Sequence, residues 1–347
     1  MLNVIQVVRI FGVNGGMERY VWELSYALAD LGVQVHILCE QSDHNTVHKN
    51  IKIHCLNQVS AKPRWLAMLR FSSNVSSWIE NNVNSNWIIH SHERTAVHHI
   101  STFHGPPFAH VYNKPWWKRA SIRVAVWLYL ERRELCASQV KAILPNSDLI
   151  LNDLKNMYPC VGQLLHSPAY PGVNKPIEII KTQSDKKVIL FVGKEWKRKG
   201  LVKAVKIVRR LRKSDEKIEL WVVGPDKNDV KHLFKDWDSG FKLLGWQDSS
   251  KFMPSASLLL HPAISEPYGM AIAEATNYGV PVVVSDQCGI APQVSIHSGS
   301  VVDLDAATDK WVEACLVELN RKDLARGIGN SWQELAQQHI KIYKQLL

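Results

Sequence analysis

The sequence predicts an α/β protein made of two successive Rossmann-like domains with parallel sheets. Short β-rich apolar runs alternate with longer helical patterns along all 347 residues, the rhythm restarts after Asp185, and a proline-rich stretch separates the two series. In the first series the strand-like runs are Val4–Val8, Val33–Cys39, Trp87–His90 and Lys141–Leu144, each short and bounded by turn or polar residues. The second series holds Val188–Gly193, Leu220–Gly224, Phe241–Gly245, Leu258–His261 and Pro281–Ser285. Between them Ser167–Pro176 carries Pro168, Pro171 and Pro176, which bar a helix and mark a linker. The expected domains are therefore residues 1–170 and 171–330. The tail from Asn330 spaces Trp332, Leu335, Ile340, Tyr343 and Leu347 so that one face of a terminal helix is apolar. That spacing does not say which domain it packs on.

The bulk numbers fit this picture. A hydrophobic fraction of 46% over 347 residues supplies a large core and exceeds what one compact domain usually needs. Six scattered cysteines contain no C-x-x-C pair, so neither a zinc site nor a disulfide framework is expected and a reducing cytoplasm fits. The N-terminus runs straight into a strand pattern without the basic and apolar regions of a signal peptide. No apolar run reaches the ~18 residues of a membrane span. A net charge of +10 points to an acidic partner, whether phospholipid, phosphorylated glycan or nucleic acid.

Three places can carry chemistry. After the first strand, Gly15 and Gly16 precede the helix pattern Met17, Tyr20, Val21, Leu24, Leu28, Leu31; a glycine pair there lets a phosphate or sugar approach backbone N–H groups, and equally serves a tight turn without ligand. In the second domain Lys194, Lys197, Arg198 and Lys199 follow a buried strand at its carboxyl end, where open α/β sheets bind ligands. Lys194 and Lys199 are the chosen candidates to neutralise a diphosphate; a solvated basic loop is the alternative. Finally, Glu266 and Glu274 bracket a loop-to-helix transition, with Glu274 expected about two helical turns in, and Gly269 and Met270 between them offer amides to an anion.

The stretch Ser265–Glu266–Pro267–Tyr268–Gly269–Met270, continuing through Glu274, Gly279 and Pro281 to Ser285, resembles the E-x7-E signature of family-four, glycogen-synthase-like glycosyltransferases. Gly15–Gly16, Thr102–Gly105, Pro145–Ser147, Pro171–Asn174, Gly193–Gly200 and Ser331–Trp332 occur in the same order as in that family, so the resemblance covers nearly the whole chain. It implies a GT-B fold, two Rossmann-like domains facing across a cleft, with residues 331–347 crossing back to the N-terminal domain. It further implies an N-terminal acceptor-binding domain and a C-terminal domain for a nucleotide-sugar donor, a UDP-sugar by preference. Glu274 would hold the ribose, Glu266 the transferred sugar, and the Gly269 and Met270 amides with Lys194 and Lys199 the diphosphate. Gly15, Gly16 and Gly172 would line the donor site, and His104 would lie near the reacting carbon, although a satisfied loop histidine is the reading without the family. Glu93 and Arg94, at the end of an N-domain strand, are the acceptor candidates.

Two departures stand out. Lys194 replaces the family's usual arginine, a point charge for a bidentate fork, and Cys288–Gly289–Ile290–Ala291–Pro292–Gln293 lacks the acid of the common G-G-x-x-E. The Cys-Gly-x-Ala variant and the Lys-Arg-Lys-Gly loop are similar to bacterial lipopolysaccharide-core glucosyltransferases, which implies a cell-envelope glycan or glycolipid acceptor. No carboxylate is placed as a nucleophile, so the resemblance implies a retaining, metal-independent reaction through a short-lived oxocarbenium-like pair, with no cofactor beyond the nucleotide-sugar.

Asp236–Trp237–Asp238 and Asp303–Leu304–Asp305 fit D-x-D but read as surface acids. Lys114–Arg133 mixes aromatics and cations at the ends of an apolar helix, a pattern for the headgroup zone of an anionic membrane or for an internal packing helix. A cytoplasmic enzyme, at the inner face of the bacterial inner membrane if that contact is made, is the expected setting. The competing readings are a nucleotide-sugar epimerase or phosphorylase on the same fold and a basic nucleic-acid-binding protein. No nucleic-acid partner is expected, because that reading leaves E-x7-E unexplained.

Overall fold

The β-branched and leucine-rich runs form two six-stranded sheets in which every strand pair is parallel. The computed structural model describes residues 2–42, 48–56, 62–83, 86–179, 182 and 185–347. The chain divides into two compact units, Met1–Gly172 with Asn330–Leu347, and Val173–Gly329.

In the first unit the spatial order is Ile51–Cys55, Gln34–Cys39, Asn3–Val7, Ile88–Ser91, Ile100–Phe103, Ala142–Pro145. In the second it is Phe241–Gly245, Ile218–Val223, Lys187–Val192, Leu258–His261, Val282–Ser285, Gly299–Val302. Numbered in chain order within each sheet, both read 3-2-1-4-5-6, the dinucleotide-fold order, which reverses between strands one and four and opens a ligand crevice at their carboxyl ends. Strands such as Ile88–Ser91, Leu258–His261 and Val282–Ser285 are buried at every residue, as parallel strands covered on both faces must be. The helix Leu201–Arg212 buries Leu201, Ala204, Val205, Ile207, Val208 and Leu211 on the second sheet together with Trp311. Each large side chain so buried contributes roughly 1.5–3 kcal/mol. In the first unit Ile5, Val7, Leu38, Phe71, Val75 and Leu130 form the matching core.

Three strands of these two sheets escape the sequence pattern for identifiable reasons. Ile51–Cys55 and Gly299–Val302 are edge strands, short and partly exposed. Ile100–Phe103 is interior, but its centre is Ser101 and Thr102, whose hydroxyls are satisfied by Glu134 and His90. The apolar helix expected through Lys114–Arg133 is instead two helices, Trp116–Arg119 and Ile122–Cys136, because Ser121 turns extended and caps the second by accepting from Val124 N at 3.2 Å. Helix Met270–Asn277 starts late enough that Glu274 lies only just over one turn in. The terminal helix Trp332–Leu346 belongs to the first unit, where Tyr343 bonds Gln6 and His90. Among the described residues no helix is long and apolar enough to cross a membrane.

Candidate active site

In the second unit the carboxyl ends of strands one and four carry the candidate residues. Gly193 ends the first of these strands with φ 155°, and a Cβ there would lie 2.0 Å from Lys199 Cδ, so the missing side chain makes room for the lysine stem. Gly200, at φ 81°, starts the helix Leu201–Arg212 against Pro262 O, which a Cβ would approach to 1.9 Å. This backbone path aims Lys199 inward. Its Nζ lies 3.1 Å from Glu266 Oε2, with His261 Nε2 at 3.3 Å and Arg198 Nη1 at 3.7 Å. Burial pushes the Glu266 carboxyl up, but Lys199, His261 and Arg198 outweigh it and hold the group far below the usual carboxylate range. His261 is fully buried, and burial lowers its own pKa against the pull of Glu266.

The Glu266 backbone is clamped as firmly as its side chain. Its N–H donates to Gln287 O at 3.0 Å, its carbonyl accepts from Gly289 N at 2.9 Å, and Ile290 N donates to Tyr268 O at 2.9 Å. Gly269, at φ 118°, then opens Met270–Asn277; the Ile272 and Ala273 amides donate to Gly269 O at 2.9 and 3.2 Å, and those of Met270 and Ala271 have no backbone partner among the described residues. Glu274 is half-buried on this helix. Lys194 is exposed and makes no ion pair among the described residues. The four D-x-D aspartates are exposed.

In the first unit His104 follows the fifth strand, its carbonyl accepting from Asn146 Nδ2 at 3.0 Å. Its Nε2 meets His92 Nδ1 at 2.9 Å, and His92 Nε2 meets Gln6 Oε1 at 2.7 Å. Gln6 Nε2 donates to the Tyr343 hydroxyl at 3.2 Å, and Tyr343 meets His90 Nδ1 at 2.7 Å. Burial lowers all these imidazoles, His104 to about 3, and holds them neutral. His339 stacks on His90 with ring centroids 5.4 Å apart, its Nδ1 donating to Leu335 O at 2.8 Å.

His104, Glu93, Arg94 and Trp127 line a cavity of about 210 Å³. Burial pushes Glu93 up to about 7, against the Arg9 amide that donates to it at 3.3 Å. Arg94 is engaged within the protein: it pairs with Glu131 at 2.7 Å and Glu134 at 3.4 Å and lies 5.0 Å over Trp127. Glu131 in turn accepts from the Phe108 and Ala109 amides and from Tyr158, fixing the loop after His104. Gly15, at φ 122°, faces the Glu18 carboxylate, which already occupies the start of helix Gly16–Asp30, while Gly16 is open. Gly172 bridges to Asn330, and the space beside it is filled by the Trp332 indole, 2.5 Å from where a Cβ would stand.

Of the residues the sequence put forward, the structure brings Lys199 and Glu266 together and places His104 in a buried hydrogen-bonded group; Arg198, His261, His92, Gln6 and Tyr343, which join these two clusters, were not among the candidates. Arg198 lay in the basic run already marked. His261 carried the signal of a histidine ending a buried strand.

Two such sheets with an acidic–basic cluster at their carboxyl ends define a class. The family description "Glycosyltransferase Family 4" matches residues 14–166 and "Glycosyl transferases group 1" matches residues 186–321. The chain belongs to the family-four glycosyltransferases of GT-B fold. Within that class it is similar to lipopolysaccharide glucosyltransferase WaaG of Escherichia coli K12, 28% identical over 176 residues, a match spanning 46% of this chain and only 43% of that protein. It is 24% identical to alpha-maltose-1-phosphate synthase of Mycolicibacterium smegmatis over 96% of both chains. The crystal structure of WaaG superposes with a TM-score of 0.80 at 18% identity, covering 97% of this chain and 95% of that one. Sucrose-phosphate synthase of Thermosynechococcus elongatus does so with 0.78 at 16% identity, covering 100% and 99%.

Proposed function

We propose that the protein transfers a sugar, with retention and without a metal ion, from a nucleotide-sugar, a UDP-sugar by preference, to a cell-envelope glycan or glycolipid of the lipopolysaccharide-core kind. The observation that carries the reading is Glu266, a carboxylate kept ionised at a sheet's carboxyl edge by Lys199, Arg198 and His261, beside the free amides of a helix start. An ionised carboxylate accepts hydrogen bonds from the hydroxyls of a sugar. The surrounding cations and amides favour the diphosphate, whose charge grows as the glycosidic bond to phosphate breaks.

In this reading the second unit takes the donor, with Glu274 on the ribose, and the first unit takes the acceptor near Glu93. Lys194, exposed and without an ion pair among the described residues, is available to the diphosphate. The leaving phosphate takes the acceptor's proton, so the chemistry calls for preorganised charge rather than a protein nucleophile. Similarity to WaaG supports the acceptor class. A cytoplasmic enzyme resting on an anionic membrane is supported by Trp116, 68% exposed, and Trp117, 62% exposed, among Lys114, Lys118, Arg119 and Arg123.

The test is a donor screen: UDP-, GDP- and ADP-sugars with the protein in EDTA, released nucleotide being measured with and without lipopolysaccharide-core acceptors. Acceptor-dependent release with retained anomeric configuration is expected. A requirement for added metal overturns the mechanism, and isomerised sugar without transfer identifies an epimerase instead.

A further inference from the structure

The hydrogen bonds running inward from His104 have one consistent direction. The Gln6 amide sets it. Its nitrogen donates to the Tyr343 hydroxyl at 3.2 Å, so the Tyr343 oxygen accepts there and its own proton goes to His90 Nδ1 at 2.7 Å. Neutral His90 then carries its one ring proton on Nε2, which donates to Thr102 Oγ1 at 2.7 Å. On the other side the Gln6 carbonyl oxygen lies 2.7 Å from His92 Nε2, and an amide oxygen only accepts, so that nitrogen holds the proton of His92. His92 Nδ1 is left as a lone pair for His104 Nε2–H at 2.9 Å. Running every bond the other way would point the Gln6 carbonyl oxygen at Tyr343 and its amide nitrogen at His92, the reverse of the arrangement in the structure.

We infer that His104 is held as its Nε2–H tautomer and presents a bare Nδ1 lone pair to its cavity, where it selects a substrate sugar hydroxyl that donates. His104 Nδ1 has no partner among the described residues, and the ring lines the cavity that also holds Glu93. Burial keeps each imidazole in the chain neutral, so no ring relaxes the order by carrying two protons. Gln6, His92 and Tyr343 are positioning residues. Tyr343 comes from the terminal helix, so the last turn of that helix sets the polarity of a group on the fifth strand of the sheet.

The inference rests on the proposed sugar transfer only for what occupies the cavity. The tautomer itself is read in the free, full-length protein labelled with 15N-histidine, long-range proton–nitrogen correlations showing which ring nitrogen is protonated and a His104→Asn sample assigning the signals. A bare Nδ1 is expected; an Nδ1–H signal at neutral pH overturns the inference, and no substitution needs to fold for that outcome. Tyr343→Phe keeps the ring but removes the hydroxyl that orients Gln6, and the His104 signals should then show both tautomers. Unchanged signals in a folded Tyr343→Phe protein would refute the role of the terminal helix. With substrate, one monodeoxy sugar should lose about tenfold in kcat/KM relative to its parent in the wild type and little in His104→Gln, which keeps a donor toward His92 but has no Nδ1. If the tautomer is as inferred but no deoxy sugar shows that coupling, the sugar is not what Nδ1 meets, and the reading of His104 falls while the proton order stands.

Discussion

His98 offers a clean measure of how strongly this sheet end holds its imidazoles neutral. It is buried, its Nε2 donates to Glu134 O at 2.9 Å and its Nδ1 accepts from Thr95 at 3.0 Å, and burial lowers its pKa to about 4. In the unfolded chain the same ring titrates near 6.5, so between those values the unfolded state carries one more proton than the folded one. Stability from this depressed group is present above pH 6.5 and is lost as pH falls toward 4. At 1.36 kcal/mol per unit the loss from His98 alone comes to about 3 kcal/mol. Glu93 and Glu134 act in the opposite direction. Burial raises both to about 7, the folded state keeps their protons, and their contribution is present at low pH and lost as pH rises through 7.

A His98→Gln protein separates the two effects, because both carboxyls remain in it. Its two hydrogen bonds are weakened, so it should be less stable than the wild type by about 1–2 kcal/mol at pH 8. Urea unfolding repeated from pH 8 to pH 4 should show this gap closing and then reversing, since the variant has roughly 3 kcal/mol less to lose. Two parallel stability curves would refute the reasoning, for they would mean that His98 titrates alike in folded and unfolded chains.

Other perturbations test the second unit and the surface. Lys199→Met leaves Glu266 buried with only His261 and Arg198 near it, and should cost about 3 kcal/mol in urea unfolding at pH 8; adding Glu266→Gln should restore most of it, as expected when an unpaired buried charge is the cause. Gly200→Ala forces a side chain into Pro262 O at a φ of 81°, and a loss of about 2–4 kcal/mol, seen as a lowered urea midpoint, is expected. Replacing both Trp116 and Trp117 by Ser should weaken sedimentation with anionic vesicles at least several-fold while leaving the far-UV spectrum unchanged, since both indoles are exposed.

What the sequence disclosed follows from how local each signal is. Strand runs such as Leu258–His261 and the pair Glu266 and Glu274 announce themselves within a dozen residues, because apolar density and motif spacing need no partner elsewhere. The His104 chain is the opposite case. Gln6 and Tyr343 are 337 positions apart and meet only because the sheet order places strands one, four and five side by side and the terminal helix packs on the same unit. No window of sequence holds that information. Between the extremes lies the basic loop, where composition marks four cations but only the backbone at Gly193 and Gly200 decides that Lys199 and Arg198, rather than Lys194, reach Glu266.

The segment Cys288–Gln293 shows why a missing residue type is weak ground for a missing role. Read by side chains it departs from the family pattern, since an acid is absent where one is usual. Read by backbone it keeps a task any residue with a free amide and carbonyl can perform: Gln287 O and Gly289 N grip both sides of the Glu266 peptide, and Ile290 N takes Tyr268 O. Glu266 is already paired with Lys199 at 3.1 Å and faces Arg198 at 3.7 Å, so its carboxylate keeps a defined direction only if its backbone cannot shift. The peptide clamp supplies that restraint from main-chain groups, and the buried Cys288, its thiol pushed up to about 12 by burial and bonded to Ser285, anchors the clamp to the sheet. Substituting Cys288 with a larger residue should therefore disturb Glu266 before it disturbs the fold, with donor KM rising while the unfolding midpoint moves little; a variant with normal donor KM and a collapsed midpoint would place the cysteine in packing alone.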